Sequence, residues 1–201
     1  TPSKASSPKK IEVITEVNSN PQFDLFSQPS VPVVVAERNN DFELIDSAEK
    51  LDKFISEIKK TGQFAFQIIT DTKDALSTKI AGFSFSYSDN NGFYIPFNTE
   101  TITSLKSLFE DASIHKIGYD LKFAIKVLSK QGIQTKGSLF DVEIAHYLLY
   151  PDMRHALDII ADNYLNKIMI EEQSLVGKGK TKVALSTIKP ELITDFAAEK
   201  T

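Results

Sequence analysis

The sequence predicts an α/β domain of the α+β type, with a central mixed sheet flanked by helices. Short apolar runs bounded by turn residues occur at 64–69, 80–86 and 92–96, which is typical of successive strands. After about residue 100, apolar residues repeat at helical spacing, with one more strand-like run at 114–118. Strands that first meander and then alternate with helices indicate a mixed sheet.

The first elements carry clear start and stop signals. Residues 42–45 are predicted as a short strand, after which Asp46 or Ser47 offers the N-cap of a helix that ends at Thr61-Gly62. Apolar residues repeat along one face of this helix: Leu51, Phe54, Ile55 and Ile58.

The later elements are a hairpin and then mostly helices. The sequence Asp-Asn-Asn-Gly at 89–92 predicts a hairpin turn. Gly132 is a C-cap candidate, residues 156–165 form an apolar-faced helix, and Pro190-Glu191 opens the last helix. Apolar residues mark three further helices: Ile102, Leu105, Leu108 and Phe109 in the first, Leu121, Ile125 and Leu128 in the second, and Ile144, Tyr147 and Leu148, after Leu139-Phe-Asp141, in the third.

Residues 1–37 differ from the rest of the chain. They are rich in Ser, Pro, Asn and Lys, so they cannot bury enough apolar surface to offset the entropy of ordering. We predict a flexible linker there, with a short extended piece at 31–35, and one domain over 38–201. A linker at the N-terminus indicates a fragment of a longer protein.

The composition narrows the function classes. The chain has no cysteine, which excludes disulfides, thiolate zinc sites and a cysteine nucleophile. No apolar run approaches the ~20 residues of a membrane span, so an intracellular protein is expected. The net charge is −4, whereas a free-standing nucleic-acid-binding module usually carries an excess of basic residues on one surface. Lys178, Lys180 and Lys182 are interpreted as a solvated loop.

Several patterns define no site by themselves. His115, His146 and His155 share no metal-ligand spacing and are interpreted as structural or surface residues. The sequence Gly-Lys-Gly-Lys at 177–180 lacks the spacing of a phosphate-binding loop. The sequence also contains many carboxylates that no motif considered so far assigns to a site: Asp71, Asp74, Asp120, Asp141, Asp158, Asp195 and Glu199.

Six segments occur in a set order along the chain: 64–71, 116–124, 139–141, 154–165, 177–180 and 196–200. Together they resemble the 3′–5′ exonuclease (proofreading) domain of family A DNA polymerases, the bacterial DNA polymerase I family. Residues 64–71, Phe-Ala-Phe-Gln-Ile-Ile-Thr-Asp, resemble its first motif, Phe-Ala-Phe-Asp-Thr-Glu-Thr-Asp. Residues 116–124, Lys-Ile-Gly-Tyr-Asp-Leu-Lys-Phe-Ala, resemble its second, Val/Ile-Gly-x-Asn-Leu-Lys-Tyr-Asp. Further segments are similar in the same order: Leu139-Phe-Asp141, Arg154-His155 with the following helix, Gly177–Lys180, and Phe196–Lys200 in place of the third motif, Tyr-Ala-x-x-Asp.

The resemblance runs from about residue 42 to the end and implies a ribonuclease H-like exonuclease fold. In that fold two divalent metals on carboxylates stabilise the attacking hydroxide and the leaving 3′ oxygen. Here the positions of the metal-binding carboxylates are Gln67, Ile69, Ala124 and Lys200, and Phe196 replaces the tyrosine that orients water. The resemblance therefore implies a degenerate site with no catalytic residue and no metal.

Neighbouring residues keep two alternatives open. Asp120 lies one helical turn before Ala124, so it is a candidate displaced ligand in a weak metal-dependent exonuclease. Phe123 is able to stack on a base. The candidate residual DNA contacts are Lys73, Asp120, Phe123 and Arg154. The lysines around 178–182 favour the other alternative, a non-catalytic single-stranded DNA-binding module.

The leading hypothesis is a structural scaffold for a polymerase domain of the same chain, which Ile69 and Lys200 favour. The parent protein is then a template-directed DNA polymerase that uses deoxynucleoside triphosphates and magnesium. The fragment itself is expected to need no cofactor, to be monomeric and to reach DNA through the parent. A cytoplasmic, nucleoid-associated location follows, with no membrane partner.

Overall fold

The computed structural model describes residues 41–89, 91–179 and 182–201. The predicted linker at 1–37, Asn90 of the predicted hairpin turn and Lys180 lie outside these ranges. Within them the strands are β1 (Asp41–Leu44), β2 (Gln63–Thr70), β3 (Ile80–Ser86), β4 (Asn91–Pro96), β5 (His115–Gly118) and β6 (Leu139–Asp141). The α-helices are α1 (Ala48–Thr61), α2 (Thr99–Phe109), α3 (Leu121–Lys130), α4 (Val142–Leu149), α5 (Leu157–Leu165), α6 (Glu172–Val176) and α7 (Pro190–Ala198), with a 3-10 turn at Leu185–Thr187.

The strands form one mixed sheet in the order β1-β4-β3-β2-β5-β6, which confirms the predicted fold class. β2, β3 and β4 are the predicted antiparallel meander. β1 pairs with β4, β5 with β2 and β6 with β5, each in parallel. The sequence did not predict β6, because three residues are too few to show an alternating pattern.

Local signals fix the ends of α1 as the sequence predicts. Ser47, rather than Asp46, is the N-cap, and its side chain accepts a hydrogen bond from the Lys50 amide. Asp46 instead pairs with the Lys50 ammonium at 3.1 Å. Gly62 ends the helix with φ +70°, a left-handed conformation that glycine adopts without a Cβ clash.

Two apolar clusters cover the two faces of the sheet. One packs α1, α2 and α3 on the sheet and contains Phe66 and Ile68 of β2, while Ile69, the next residue, belongs to the other. The first is dominated by phenylalanine rings in edge-to-face and tilted contacts: Phe54, Phe64, Phe66, Phe83, Phe85 and Phe109. The second holds α7 against β1, β3 and β4.

Lys116, on β5, is fully buried, and its side chain binds the backbone of the segments that precede β5 and β6. Its Nζ donates to the carbonyls of Asp111, Ile114 and Lys136 at 2.5, 2.9 and 2.7 Å. Burial lowers the pKa of this ammonium, and the Asp111 carboxylate partly opposes the shift. Three carbonyl acceptors meet its three donors, so the charge is tolerated beside the segment that leads into α3.

In the described part of the chain, no helix combines the length and apolar character that crossing a bilayer requires.

We predict that Gly92→Val destabilises the 201-residue chain by about 2 kcal/mol, because α7 packs too closely on β4 for a side chain. A Cβ at Gly92 would lie 2.9 Å from the Ala198 Cβ and 2.9 Å from the Phe42 ring. Urea unfolding measures the change in the free energy of unfolding. Gly62→Asn is the control, because nothing lies within 4 Å of a Cβ there and Asn tolerates a left-handed conformation. Equal stabilities of the two variants would contradict the close contact.

Candidate functional site

The five positions of the nuclease motifs lie on β2, α3 and α7. Gln67 and Ile69 are on β2, Ala124 is in the first turn of α3, and Phe196 and Lys200 are on and just after α7. Ile69, Ala124 and Phe196 are buried, whereas Gln67 and Lys200 are half-buried. Ile69 and Phe196 belong to one apolar cluster, and Ala124 belongs to the other. Hydrocarbon therefore fills two of the expected ligand positions.

The ammonium group of Lys200 lies over the ring of Phe196, 4.3 Å from its centroid. Burial lowers the pKa of Lys200 from its ordinary value of 10.5, and the nearby Lys73 lowers it further. The carboxylates of Glu172, Glu199 and Asp158 act in the opposite direction. A half-buried cation thus lies at the end of α7, over an aromatic face and within the electrostatic influence of three carboxylates.

The Glu199 carboxylate, next to Lys200, anchors a loop. It is buried, and its Oε2 accepts the Ile170 amide at 2.5 Å. Its Oε1 lies 3.9 Å from the Lys167 ammonium. These contacts hold the 166–170 loop against the end of α7, so Glu199 stabilises the fold at this point.

Asp120 and Asp141 organise the starts of α3 and α4. Asp120 has φ +52° and caps α3, where its Oδ1 accepts the Phe123 amide at 3.2 Å. The Oδ2 of Asp141 accepts the Leu121 amide at 2.7 Å, while its Oδ1 accepts the Glu143 amide at 2.9 Å. Both carboxylates therefore fix the backbone around Ala124.

Asp71 fixes the 3-10 turn at Leu185–Thr187 next to β2. Its carboxylate accepts the Ser186 amide at 2.8 Å and the Ser186 hydroxyl at 2.7 Å. These bonds tie the 3-10 turn to the residue after β2 and bring Leu185 into the cluster that contains Ile69. Asp195, by contrast, is exposed on α7.

A groove of about 770 Å³ brings together three of the four predicted DNA-contact residues: Lys73, Asp120 and Phe123. Three further lysines that the sequence analysis did not single out also line it: Lys122, Lys126 and Lys130. Their i, i+4, i+8 spacing along α3 is the signal that predicts a shared face. Arg154 is exposed in the loop before α5 and is not among the lining residues.

Lys182 and the three histidines have local partners. Lys182 lies 3.3 Å from the Glu172 carboxylate. The Nδ1 atoms of His146 and His155 are 2.7 Å apart, and Nδ1 of His115 is 2.6 Å from the Ser138 hydroxyl.

The residues present do not fit a two-metal centre. The motif positions supply one amide, two hydrocarbons and one ammonium, whereas Mg²⁺ and Mn²⁺ require several oxygen ligands. Over residues 41–89, 91–179 and 182–201, no group of three or more His, Cys, Asp or Glu side chains is arranged to hold a metal ion.

The sheet order, the flanking helices and the motif positions define an exonuclease-like domain. A family model described as 3′–5′ exonuclease matches residues 42–199, and the chain belongs to this family of DNA polymerase I exonuclease domains. DNA polymerase I of Rhizobium leguminosarum is 26% identical over 179 residues, which cover 74% of this chain and 18% of that protein. Four curated relatives, each named DNA polymerase I, match at 25 to 26% identity, and the chain spans 18 to 19% of their length.

Solved structures show the same fold at lower identity. RNase D of Trypanosoma brucei, in complex with RNA U12, superposes with a TM-score of 0.64 at 18% identity, over 79% of this chain and 58% of that one. Pol1 of M. smegmatis, in complex with DNA primer-template and dNTP, gives a TM-score of 0.55 at 21% identity, over 78% of this chain and 26% of that one. The predicted ribonuclease H-like exonuclease fold is confirmed.

We predict that Lys200→Met raises the free energy of unfolding by about 1 kcal/mol at pH 7, because it removes a charge that burial disfavours. The pKa of Lys200 is lowered in the folded state, so the unfolded chain holds the proton more tightly. The cost of the charge is complete below the folded pKa and disappears as the pH rises through 10.5.

Urea unfolding of both proteins at pH 7 and above pH 10.5 measures this difference. Tyrosine titration is common to the two proteins and cancels when they are compared at each pH. A stability difference that stays constant with pH would show that the charge of Lys200 does not cause it.

Proposed function

We propose that this domain is a non-catalytic exonuclease-like scaffold within a longer DNA polymerase. The observation that carries the proposal is the chemistry of the four ligand positions, which are Gln67, Ile69, Ala124 and Lys200. The family resemblance to DNA polymerase I and the small share of the relatives that the chain covers support a polymerase parent.

Electrostatics argues against metal binding at these positions. Two unit charges about 4 Å apart repel by roughly 4 kcal/mol at an effective dielectric of about 20. A divalent ion beside the Lys200 ammonium would meet about twice that repulsion, with no carboxylate from Ile69 or Ala124 to offset it. Without metals, neither the attacking hydroxide nor the leaving oxygen of a phosphodiester is stabilised.

The same proposal assigns the other properties of the protein. This domain needs no cofactor, whereas magnesium and deoxynucleoside triphosphates serve the polymerase part of the parent. The domain is monomeric and reaches DNA through that parent. The bacterial relatives support a cytoplasmic, nucleoid-associated polymerase.

We predict that the 201-residue chain does not trim 3′-labelled single-stranded DNA with magnesium, manganese or chelator. A variant with Gln67→Asp, Ile69→Glu, Ala124→Asp, Phe196→Tyr and Lys200→Asp should trim it at least ~10³-fold faster, since metals supply several kcal/mol of transition-state stabilisation. Circular dichroism checks that the variant is folded.

Asp120→Ala in the natural chain tests the alternative that Asp120 serves as a displaced metal ligand in a weak exonuclease. Metal-dependent trimming by the natural chain that this substitution abolishes would establish a weak exonuclease and overturn the proposal. Because Asp120 caps α3, Asp120→Asn should keep the capping bond and remove only the negative charge that would hold a metal ion.

Single-stranded DNA binding without chemistry is the second candidate function. The groove favours it, because Lys73, Lys122 and Lys126 surround the half-buried ring of Phe123. Lysines that track a phosphate backbone beside an aromatic ring are the usual elements of a single-strand binding surface. Asp74 and Asp120, which also line the groove, reduce its positive potential.

We predict that Lys122→Gln with Lys126→Gln weakens oligo-dT binding. The fall of log affinity with log salt should become less steep, by about 1.4 in the slope. Each lost phosphate contact on a single strand removes about 0.7 from this slope. Fluorescence anisotropy over a salt series measures it. Lys53→Gln with Lys59→Gln on α1 makes the same charge change on residues that do not line the groove. An equal effect of both pairs would indicate a non-specific response to net charge.

A further inference from the structure

An apolar face runs from α4 to α5. Eight of its large side chains are each more than 40% exposed: Ile144, Tyr147, Leu148, Leu149, Tyr150, Met153, Tyr164 and Leu165. We call this set the α4–α5 face. Side chains of this size present on the order of several hundred Å² of apolar surface, a size range in which the apolar patches of a monomer are often functional.

Aromatic contacts make the face continuous. The ring of His146 lies 5.7 Å from that of Tyr164, and the rings of Tyr150 and Tyr164 are 6.3 Å apart. His155 contacts both His146 and Tyr147, at 4.9 and 5.4 Å between ring centroids. These contacts join α4, the loop that follows it and α5 into one surface.

The chemistry of the face fits a protein partner. Residues 144–151 contain no Asp, Glu, Lys or Arg, so this stretch offers nothing to neutralise phosphates. Tyrosine and methionine are enriched at protein interfaces, and arginine, here the exposed Arg154, accompanies them. The lysine-lined groove is a separate surface of different chemistry.

We propose that the α4–α5 face packs against the polymerase part of the same parent chain. This inference rests on the proposed polymerase parent. The relatives keep more than four fifths of their length outside the region that this chain matches, so each copy carries a large partner. Tethering supplies an effective concentration of about 1 mM, so an uncharged face of this size suffices without long-range attraction.

The test compares hydrogen exchange in the 201-residue chain with exchange in the full-length protein encoded by the gene. We expect the amides of α4 and α5 to exchange at least ~10-fold more slowly in the full-length protein. Leu148→Asp with Leu149→Asp should cancel the extra protection on α5, which carries neither substitution. These leucines are 73% and 71% exposed, so the 201-residue chain should keep its stability.

Leu76→Asp is the matched control, because Leu76 is 77% exposed and lies in the groove. Equal exchange of α4 and α5 in the 201-residue chain and in the full-length protein would overturn the docking proposal.

Protection that appears in the 201-residue chain with rising protein concentration would overturn it in favour of a second copy of the chain on this face. Primer extension by the full-length protein tests the parent separately. Polymerisation without protection refutes the docking and leaves the proposed polymerase standing. Protection without polymerisation refutes the proposed polymerase and leaves only a contact of the face with the rest of the chain.

Discussion

The burial of β2 from both faces of the sheet is the constraint on which the rest of the structure depends. Phe66 and Ile68 point into the phenylalanine cluster, and Ile69 points into the cluster that holds α7. Full burial of one such side chain stabilises the fold by about 1.5–3 kcal/mol. A carboxylate at Ile69 would forfeit that gain and would need a metal or donors to offset its desolvation. The apolar side chain at this expected ligand position thus also fastens α7 to the sheet.

Lys200 changes the charge balance of the same region. The acids that act on it, Glu172, Glu199 and Asp158, would repel one another if no cation were near. An ammonium on the chain supplies that cation permanently, whereas a metal would have to be bound from solution. Its lowered pKa shows that burial outweighs the acids, so the arrangement balances charge at some cost in stability.

The sequence predicted the fold and the placement of the motifs because both depend on local patterns. The spacing in α4 also predicted a helix, but not that Ile144 and Leu148 would be exposed, since periodicity shows that a helix has an apolar face and not what covers it. The capping by Asp120 was missed because Asp adopts a left-handed backbone far less often than glycine, so the residue type alone is a weak signal for that conformation. The groove depends on loop 73–76 meeting α3, which is tertiary information.

The backbone around the motif positions is held by residues other than those at the expected ligand positions. Asp141 joins the starts of α3 and α4, Lys116 clips the loops beside β5, and Asp71 fixes the 3-10 turn. None of these bonds involves a side chain that would bind a metal in the family motifs. Catalytic positions can therefore change to apolar or cationic residues without loosening their frame. Under the proposed scaffold function the domain keeps its shape and its surfaces, and the groove and the α4–α5 face are the surfaces through which it would act.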